Sequence, residues 1–310
     1  MRCFVWMLLL IITCTCFGQK TNYSKQLIFK TDNDAYLLQK KDGYYTNGLF
    51  VTLHTASEKN SRKIISSYEL GQMIFTPKSL NFIRDGGIDR PFCGYLYLSY
   101  NRAIFLPKQQ VVEWGASIGT IGANSLGENV QETIHTLFRY KQFKGWETQI
   151  SNEVGLNATV KYAKILSPIN TDLLKIIPQS ELMVGSTFTN AKIGGYICFG
   201  LMQEATNSNL FNANINKNII AKNKAECFIY WHPQFIYQLY NATVQGGLFT
   251  QNGQSITAPI FANMYMQTFG LQIASGRIAG KLEVVYQTQE ATTQQLPQRY
   301  ASISIGYRFH

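Results

Sequence analysis

Oxygen-bearing side chains that suit a cation or an ordered water are concentrated near the start of the chain. Asn33 and Asp34 lie just ahead of the run Tyr-Tyr-Thr-Asn-Gly, residues 44–48, which opens an alternating strand. Asn-Gly is a strong hairpin signal, so this run is also consistent with a turn that has no chemical role. Because carboxylate and amide oxygens bind hard cations such as Ca²⁺, we expect Asn33 and Asp34 to form a metal or water site at the mouth of a β-hairpin.

A second group of polar residues lies on a segment with helical spacing. In residues 128–140 the apolar side chains recur on one side of a helix, and Gln131 and His135 share an adjacent face. We expect Gly127 or Asn129 to cap the start of this helix. A neutral imidazole can take a proton from water, a step that contributes ~10²- to 10⁴-fold in rate. His135 is therefore a candidate general base, and the alternative is a histidine with a purely structural role.

A serine nucleophile is the competing chemistry for a hydrolase. We expect no Gly-x-Ser-x-Gly elbow in this chain. Ser125 precedes the helical segment, and we interpret it as a loop or capping serine. The sequence therefore favours a water molecule activated by histidine.

Alternating strands must position these residues. In the C-terminal segment every second residue is apolar, and the residues between them are small or polar and include Arg308. The same alternation recurs in residues 278–287, 112–119 and 49–54. A charge that faces mid-membrane lipid costs ~2 to 4 kcal/mol, so charges confined to one parity indicate strands between lipid and lumen. We predict an all-β fold, a closed antiparallel transmembrane β-barrel. A periplasmic β-sandwich is the alternative, and the final Tyr-Arg-Phe-His argues against it.

The first residues have the pattern of a secretion signal. Arg2 precedes an apolar run, residues 4–13, and small residues follow. We expect residues 1–18 to be a signal peptide and residues 19–310 to form an outer-membrane β-barrel. A lipoprotein is disfavoured, because Cys14 and Cys16 match a lipobox poorly. No later apolar run approaches the ~18 residues that a membrane-spanning helix needs, so strands must provide any membrane insertion.

Composition and charge narrow the choice of partners. The net charge is +10, but lysine and arginine are scattered singly, which disfavours nucleic acid as a partner. The phosphates of lipid A and lipopolysaccharide are the expected counter-charge among outer-membrane lipids, and a positive surface without a dedicated ligand is the alternative. Cys93, Cys198 and Cys227 remain after the signal segment. Their number and spacing disfavour a disulfide framework or a zinc site.

Several separated motifs in the first half of the mature chain resemble the LpxR family of outer-membrane lipid A deacylases. Their order and spacing together are more specific than any one of them. They are Asp32-Asn33-Asp34 with Tyr36, Tyr45-Thr46-Asn47-Gly48, Asp89-Arg90-Pro91-Phe92 before Gly94-Tyr95-Leu96, Gly127 through Gln131 to His135, and Gly145-Trp146 with Asn152-Glu153.

The resemblance implies a barrel of about twelve strands in the outer membrane of a Gram-negative bacterium, expected to be a monomer. It implies an ester hydrolase that removes the 3'-linked acyl group of lipid A and uses Ca²⁺. In this family a histidine activates water and the cation helps to stabilise the oxyanion. By the same resemblance His135 is the base, and Asn33 and Asp34 organise calcium and water. Thr46 and Gln131 are polar neighbours of the site.

The resemblance also indicates residues for substrate binding. Arg90, in the Asp-Arg-Pro motif, is expected to orient the barrel wall or to contact a phosphate. Lys78 and Arg84 lie in the preceding loop and are phosphate-binding candidates without a secure match to the family pattern. Two other functions stay open from the sequence: a barrel without catalysis, either a small pore or a scaffold, and an outer-membrane phospholipase.

Overall fold

The structure of the chain is a computed structural model. The structure describes residues 23–37, 43–78, 88–138, 144–166, 173–217, 225–250 and 255–310. The predicted signal peptide, residues 1–18, lies outside the described residues. None of the helices in the described part of the chain has the length and apolar character needed to cross a membrane.

Twelve strands form one closed sheet. Each strand pairs antiparallel with the next, and β12 pairs with β1 in the register Lys25 to Phe309. The strands are β1 Lys25–Asn33, β2 Tyr44–Lys59, β3 Arg62–Thr76, β4 Cys93–Leu106, β5 Gln110–Ile121, β6 Glu153–Lys164, β7 Leu174–Gly185, β8 Phe188–Leu201, β9 Glu226–Asn241, β10 Asn263–Ser275, β11 Ile278–Gln287 and β12 Gln298–Phe309. Helix α1 is Gly127–Phe138 and the single-turn α2 is Ala242–Gln245. The predicted barrel is confirmed, and closure excludes the two-sheet sandwich.

The alternating pattern of the sequence separates lumen from lipid. In β12 the Ser302 and Arg308 side chains are buried inside, whereas Ile305 is 60% exposed on the outer surface. From Cys227 to Leu239 the outward-facing residues of β9 are apolar, and the large exposed side chains among them are Ile229, Trp231, Phe235, Tyr237 and Leu239. Because lipid solvates these side chains, their exposure in the isolated protein marks the membrane-facing surface.

The two rims of the barrel differ in their connections. Residues 34–43, 77–92, 122–152, 242–262 and 288–297 connect strands at one end, which we call the loop-rich rim. At the opposite rim β2 and β3 are joined by Asn60 and Ser61 alone, both with positive φ as a two-residue type I′ turn requires. Outer-membrane barrels have short periplasmic turns and long external loops, which assigns the loop-rich rim to the cell exterior.

Residues 202–217, between β8 and β9, fill the lumen at the opposite rim. Their apolar side chains, including Met202 and Ile215, share one buried cluster with lumen-facing residues of strands from β3 to β9. The Lys63 ammonium donates to the carbonyl oxygens of Thr206 and Ala213, each at 2.6 Å. This segment therefore packs as a core inside the barrel at its periplasmic end.

Candidate active site

A row of paired residues leads from the end of β1 to helix α1. Asn33 pairs with Asn47 of β2, Asn47 with Ile74 of β3, and Ile74 with Gly94 of β4. Gly127, the first residue of α1, lies against Gly94, since a Cβ built on Gly127 would be 2.9 Å from the Gly94 Cα atom. The row places the Asn33–Asp34 turn and the helix on the same side of the loop-rich rim.

The predicted helix is present with a different start, and it directs Gln131 and His135 at the barrel wall, as their shared face allowed. It begins at Gly127 itself, after Leu126 in a left-handed conformation with φ of 59°, so neither Gly127 nor Asn129 is its cap. Gly127, Gln131 and His135 face inward and are buried, whereas Leu137 is 73% exposed. The helix thus packs its polar face on the barrel wall, because it sits on a membrane protein whose outer surroundings are apolar.

Gln131 has a specific partner on the segment that follows the helix. The Trp146 indole nitrogen donates to the Gln131 side-chain oxygen at 3.0 Å. The Trp146 ring lies 5.1 Å from the Phe92 ring, and both belong to a small cluster with Ile74, against which Val130 also packs. Gln131 is therefore connected to the row of paired residues through Ile74. His135 lies one turn further along the same face.

Asn33, Asp34 and Thr46 form a compact turn where β1 meets β2. The Asn33 side-chain amide donates to the Asn47 side-chain oxygen and accepts from the Ala35 backbone N–H at 2.6 Å. Asp34 donates its backbone N–H to the Thr46 carbonyl oxygen at 3.4 Å. A β-bulge shifts the β2–β3 register at Thr46, whose hydroxyl is 2.7 Å from that of Thr76. Hydrogen bonds to the backbone hold the Asn33 and Asp34 side chains at the rim.

Lys78 lies beside this turn. The Gly43 backbone N–H donates to the Asp34 carboxylate at 2.9 Å, and a Cβ on Gly43 would come within 2.8 Å of the Lys78 Cβ atom. The Lys78 backbone N–H donates to the Asp89 carboxylate at 3.2 Å, and the Tyr44 hydroxyl donates to the same group at 3.0 Å. Burial raises the pKa of Asp89 despite these donors. The Lys78 backbone thus lies against Gly43 of the Asp34 turn, and its ammonium lies 5.8 Å from the centre of the Tyr44 ring.

Arg90 lies at a different position, inside the rim. Its guanidinium is completely buried, forms an ion pair with Glu290 at 2.7 Å and donates to the Thr243 hydroxyl at 3.0 Å. The ring of Phe75 lies 4.0 Å from the guanidinium carbon. These contacts fit the wall-orienting role of Arg90 and tie α2 and the loop before β12 to the loop before β4. Arg84 lies outside the described residues.

A serine in the barrel corrects one expectation from the sequence. Residues 115–119, Gly-Ala-Ser-Ile-Gly, do match Gly-x-Ser-x-Gly spacing. They lie inside β5, where Ser117 accepts a hydrogen bond from the Asn157 amide at 3.2 Å, and not at a strand-to-helix turn that would expose a nucleophile. The Ser125 hydroxyl donates to the Gly122 carbonyl oxygen at 2.6 Å, which is a loop-stabilising role.

The donor atoms at the turn are compatible with a hard cation. Asp34 and Asn33 present carboxylate and amide oxygens, and an oxygen that accepts one hydrogen bond retains a second lone pair. Within the described ranges no three His, Cys, Asp or Glu side chains are grouped as a metal site. An all-oxygen set with few protein ligands suits Ca²⁺, whose coordination is completed readily by water, and does not suit zinc.

The site lies on the wall and rim and not in the lumen. A cavity of about 460 Å³ inside the barrel is lined by charged residues such as Lys161, Glu181 and Lys192. Neither His135 nor Asp34 lines this cavity.

The sequence did not predict three individual contacts of the site residues. These are Trp146 with Gln131, and Glu290 and Thr243 with Arg90. Only Trp146 had a signal, as part of the Gly145-Trp146 motif.

Comparison with known proteins agrees with this architecture. The chain is similar to "LpxR from Salmonella typhimurium", with a TM-score of 0.74 and 20% identity over 92% of this chain and 100% of that one. It is less similar to the β domain of the Bordetella autotransporter BrkA, with a TM-score of 0.47 and 10% identity over 93% and 99% of the two chains. No curated protein sequence matches. The family model described as "Outer membrane protein LpxR" matches residues 4–309, and the chain therefore belongs to the LpxR family of outer-membrane proteins.

Proposed function

We propose that this outer-membrane barrel is a calcium-dependent esterase that removes the 3'-linked acyl group or groups of lipid A. The observation that carries the proposal is the buried Gln131–His135 face of α1, packed on β3 and β4 at the rim where the pairing row from Asn33 through Asn47 ends. A polar, buried helix face at the external rim of a lipid-exposed barrel is suited to a headgroup-level ester. Family membership supports the substrate class.

The reaction uses one water molecule. Its oxygen attacks the ester carbonyl carbon while an imidazole nitrogen of His135 takes one of its protons. The bond between that carbon and the sugar-side oxygen then breaks, and the imidazolium returns the proton to the leaving oxygen. The products are a free fatty acid and a hydroxyl on the lipid. Asn33 and Asp34 orient the water and would hold the cation.

The cation has a defined electrostatic purpose. Asn33 and Asp34 are the residues that would hold Ca²⁺, and the bound ion would supply positive charge to offset the negative charge that develops on the ester carbonyl oxygen. Thr46 supports this region through its hydroxyl pair with Thr76. Lys78, whose backbone lies against the Asp34 turn, remains the described candidate for contact with a lipid A phosphate, and Arg84 belongs to the same loop.

Mass spectrometry of lipid A tests the proposal directly. Purified protein in detergent is incubated with lipid A in Ca²⁺, and in parallel with a chelator. We expect loss of a mass that matches the 3'-linked acyl group only in the calcium arm. A third arm with phospholipid vesicles separates a phospholipase from a lipid A esterase. No mass change with several lipid A species would instead support a barrel without catalysis.

A further inference from the structure

The side-chain amide of Gln131 is only half satisfied. Its oxygen accepts the Trp146 indole N–H at 3.0 Å, but its nitrogen has no hydrogen-bond partner in the described part of the chain. Gln131 is 2% exposed. A buried amide donor without an acceptor is costly, so such a group in a native protein points to a ligand atom or a water that completes it.

The hydrogen bond from Trp146 determines which polar group of the Gln131 amide remains without a partner. An indole N–H can donate but cannot accept, so it binds the oxygen of Gln131 and never its nitrogen. The indole itself is held in place, since Trp146 is 2% exposed and its ring packs on Phe92. The Gln131 NH₂ group is therefore directed away from Trp146 by a rigid partner.

The unpaired donor lies close to the candidate base. Gln131 and His135 are four residues apart on α1 and are both buried on its inward face. Side chains at this spacing are neighbours, with Cβ atoms about 5 to 6 Å apart. An oxygen atom that reacts next to the His135 imidazole is thus within reach of the Gln131 NH₂ group.

We propose that Trp146 is a positioning residue that presents the Gln131 NH₂ group to the ester carbonyl oxygen as that oxygen becomes negatively charged. This inference rests on the proposed esterase function and adds a neutral donor to the charge supplied by the cation. The donor is aimed before substrate binds, so its reorientation costs nothing during the reaction. Loss of the Trp146 N–H leaves the amide free to turn over and to present its oxygen instead.

Kinetics of two single variants and their combination test the positioning. Removal of one oxyanion donor typically lowers kcat by about 10²-fold, which we expect for Gln131→Ala. Trp146→Phe keeps a ring but removes the N–H, and we expect kcat to fall about tenfold with KM unchanged, because ground-state binding is not affected. The double variant should be no slower than Gln131→Ala alone. Trp114→Phe, on the lipid-facing surface, is the matched control and should retain full kcat.

A measurement independent of activity separates this inference from the proposed function. The indole N–H resonance of Trp146, identified by its absence in Trp146→Phe, is followed by NMR in micelles. In Gln131→Ala, with Trp146 intact, we expect the resonance to shift and its hydrogen exchange to accelerate. An unchanged resonance, or full kcat in a folded Trp146→Phe protein, would overturn the positioning role. An inactive wild-type protein with a shifting resonance would remove the esterase and leave the amide orientation established.

Discussion

Gly94 and Gly127 are in direct backbone contact: a Cβ on Gly94 would lie 3.0 Å from the Gly127 Cα atom and 2.0 Å from the Ser125 hydroxyl oxygen. The first turn of α1 therefore rests on β4 with no side chain in between. This contact sets the distance of the Gln131–His135 face from the barrel wall. It also gives a physical reason for glycine at both positions of the sequence motifs.

Gly94→Ala is expected to displace α1 while the barrel remains assembled. The added methyl group overlaps Ser125 and the helix backbone, so the helix must move outward and His135 moves with it. We expect deacylation to fall at least tenfold, because misplacement of a catalytic group by about 1 Å costs up to ~10²-fold. Heat-modifiable migration on gels should be normal. Gly280→Ala is the control, since its nearest neighbour is the Ser304 carbonyl oxygen at 4.0 Å.

His135→Ala is expected to lower deacylase turnover by about 10²-fold or more without unfolding the barrel, because it removes the proposed general base. Turnover is measured by release of fatty acid from lipid A. His54→Gln is the matched control. His54 is also buried, but it lies on β2 inside the lumen with its ring nitrogen 2.7 Å from the Ser67 hydroxyl. Unchanged turnover in His135→Ala would remove this residue from the mechanism.

Arg90→Met is expected to destabilise the rim and not merely to weaken substrate binding. It leaves the Glu290 carboxylate buried without its cation, and breaking a buried pair in this way costs about 3 to 5 kcal/mol. Arg90→Met combined with Glu290→Gln should recover part of this loss, because no unpaired charge remains. Urea unfolding in micelles measures the stability of the single and of the double variant. Wild-type stability together with a raised KM would instead assign Arg90 to a phosphate contact.

The wild-type barrel is expected to conduct no ions, because residues 202–217 pack as an apolar core across its periplasmic end. Lys63→Met removes the ammonium that binds the carbonyl oxygens of this segment, and transient openings should then appear. Planar-bilayer recordings at fixed voltage measure the current. Lys59→Met, at the exposed end of β2, is the control, and the barrel of this variant should stay closed to ions. Steady wild-type conductance would favour the pore alternative.

The sequence alone predicted which residues of the strands face the lumen and which face the lipid. Inward and outward parity in β12, β11 and β2 follows directly from residue type, because a pleated strand sends successive side chains to opposite faces and lipid excludes charge from one of them. The helix was also predicted, because residues 128–140 interrupt the two-residue alternation of the strands. The spacing of Gln131 and His135 also indicated their shared face, but it did not reveal that Leu137 would be exposed, because helical spacing alone does not show which side of a helix meets lipid.

The amino-acid sequence by itself determined a lipid-embedded barrel and the residue types near its external rim, among them Asn33, Asp34 and His135. Only the tertiary structure decided which distant residues meet them. Barrel closure joins β1 to β12 and brings Glu290 to Arg90, and the close contact of Gly94 with Gly127 brings α1 onto the row that begins at Asn33. These contacts depend on strand register and chain closure, which are cooperative properties of the whole sheet and leave no local pattern in the sequence.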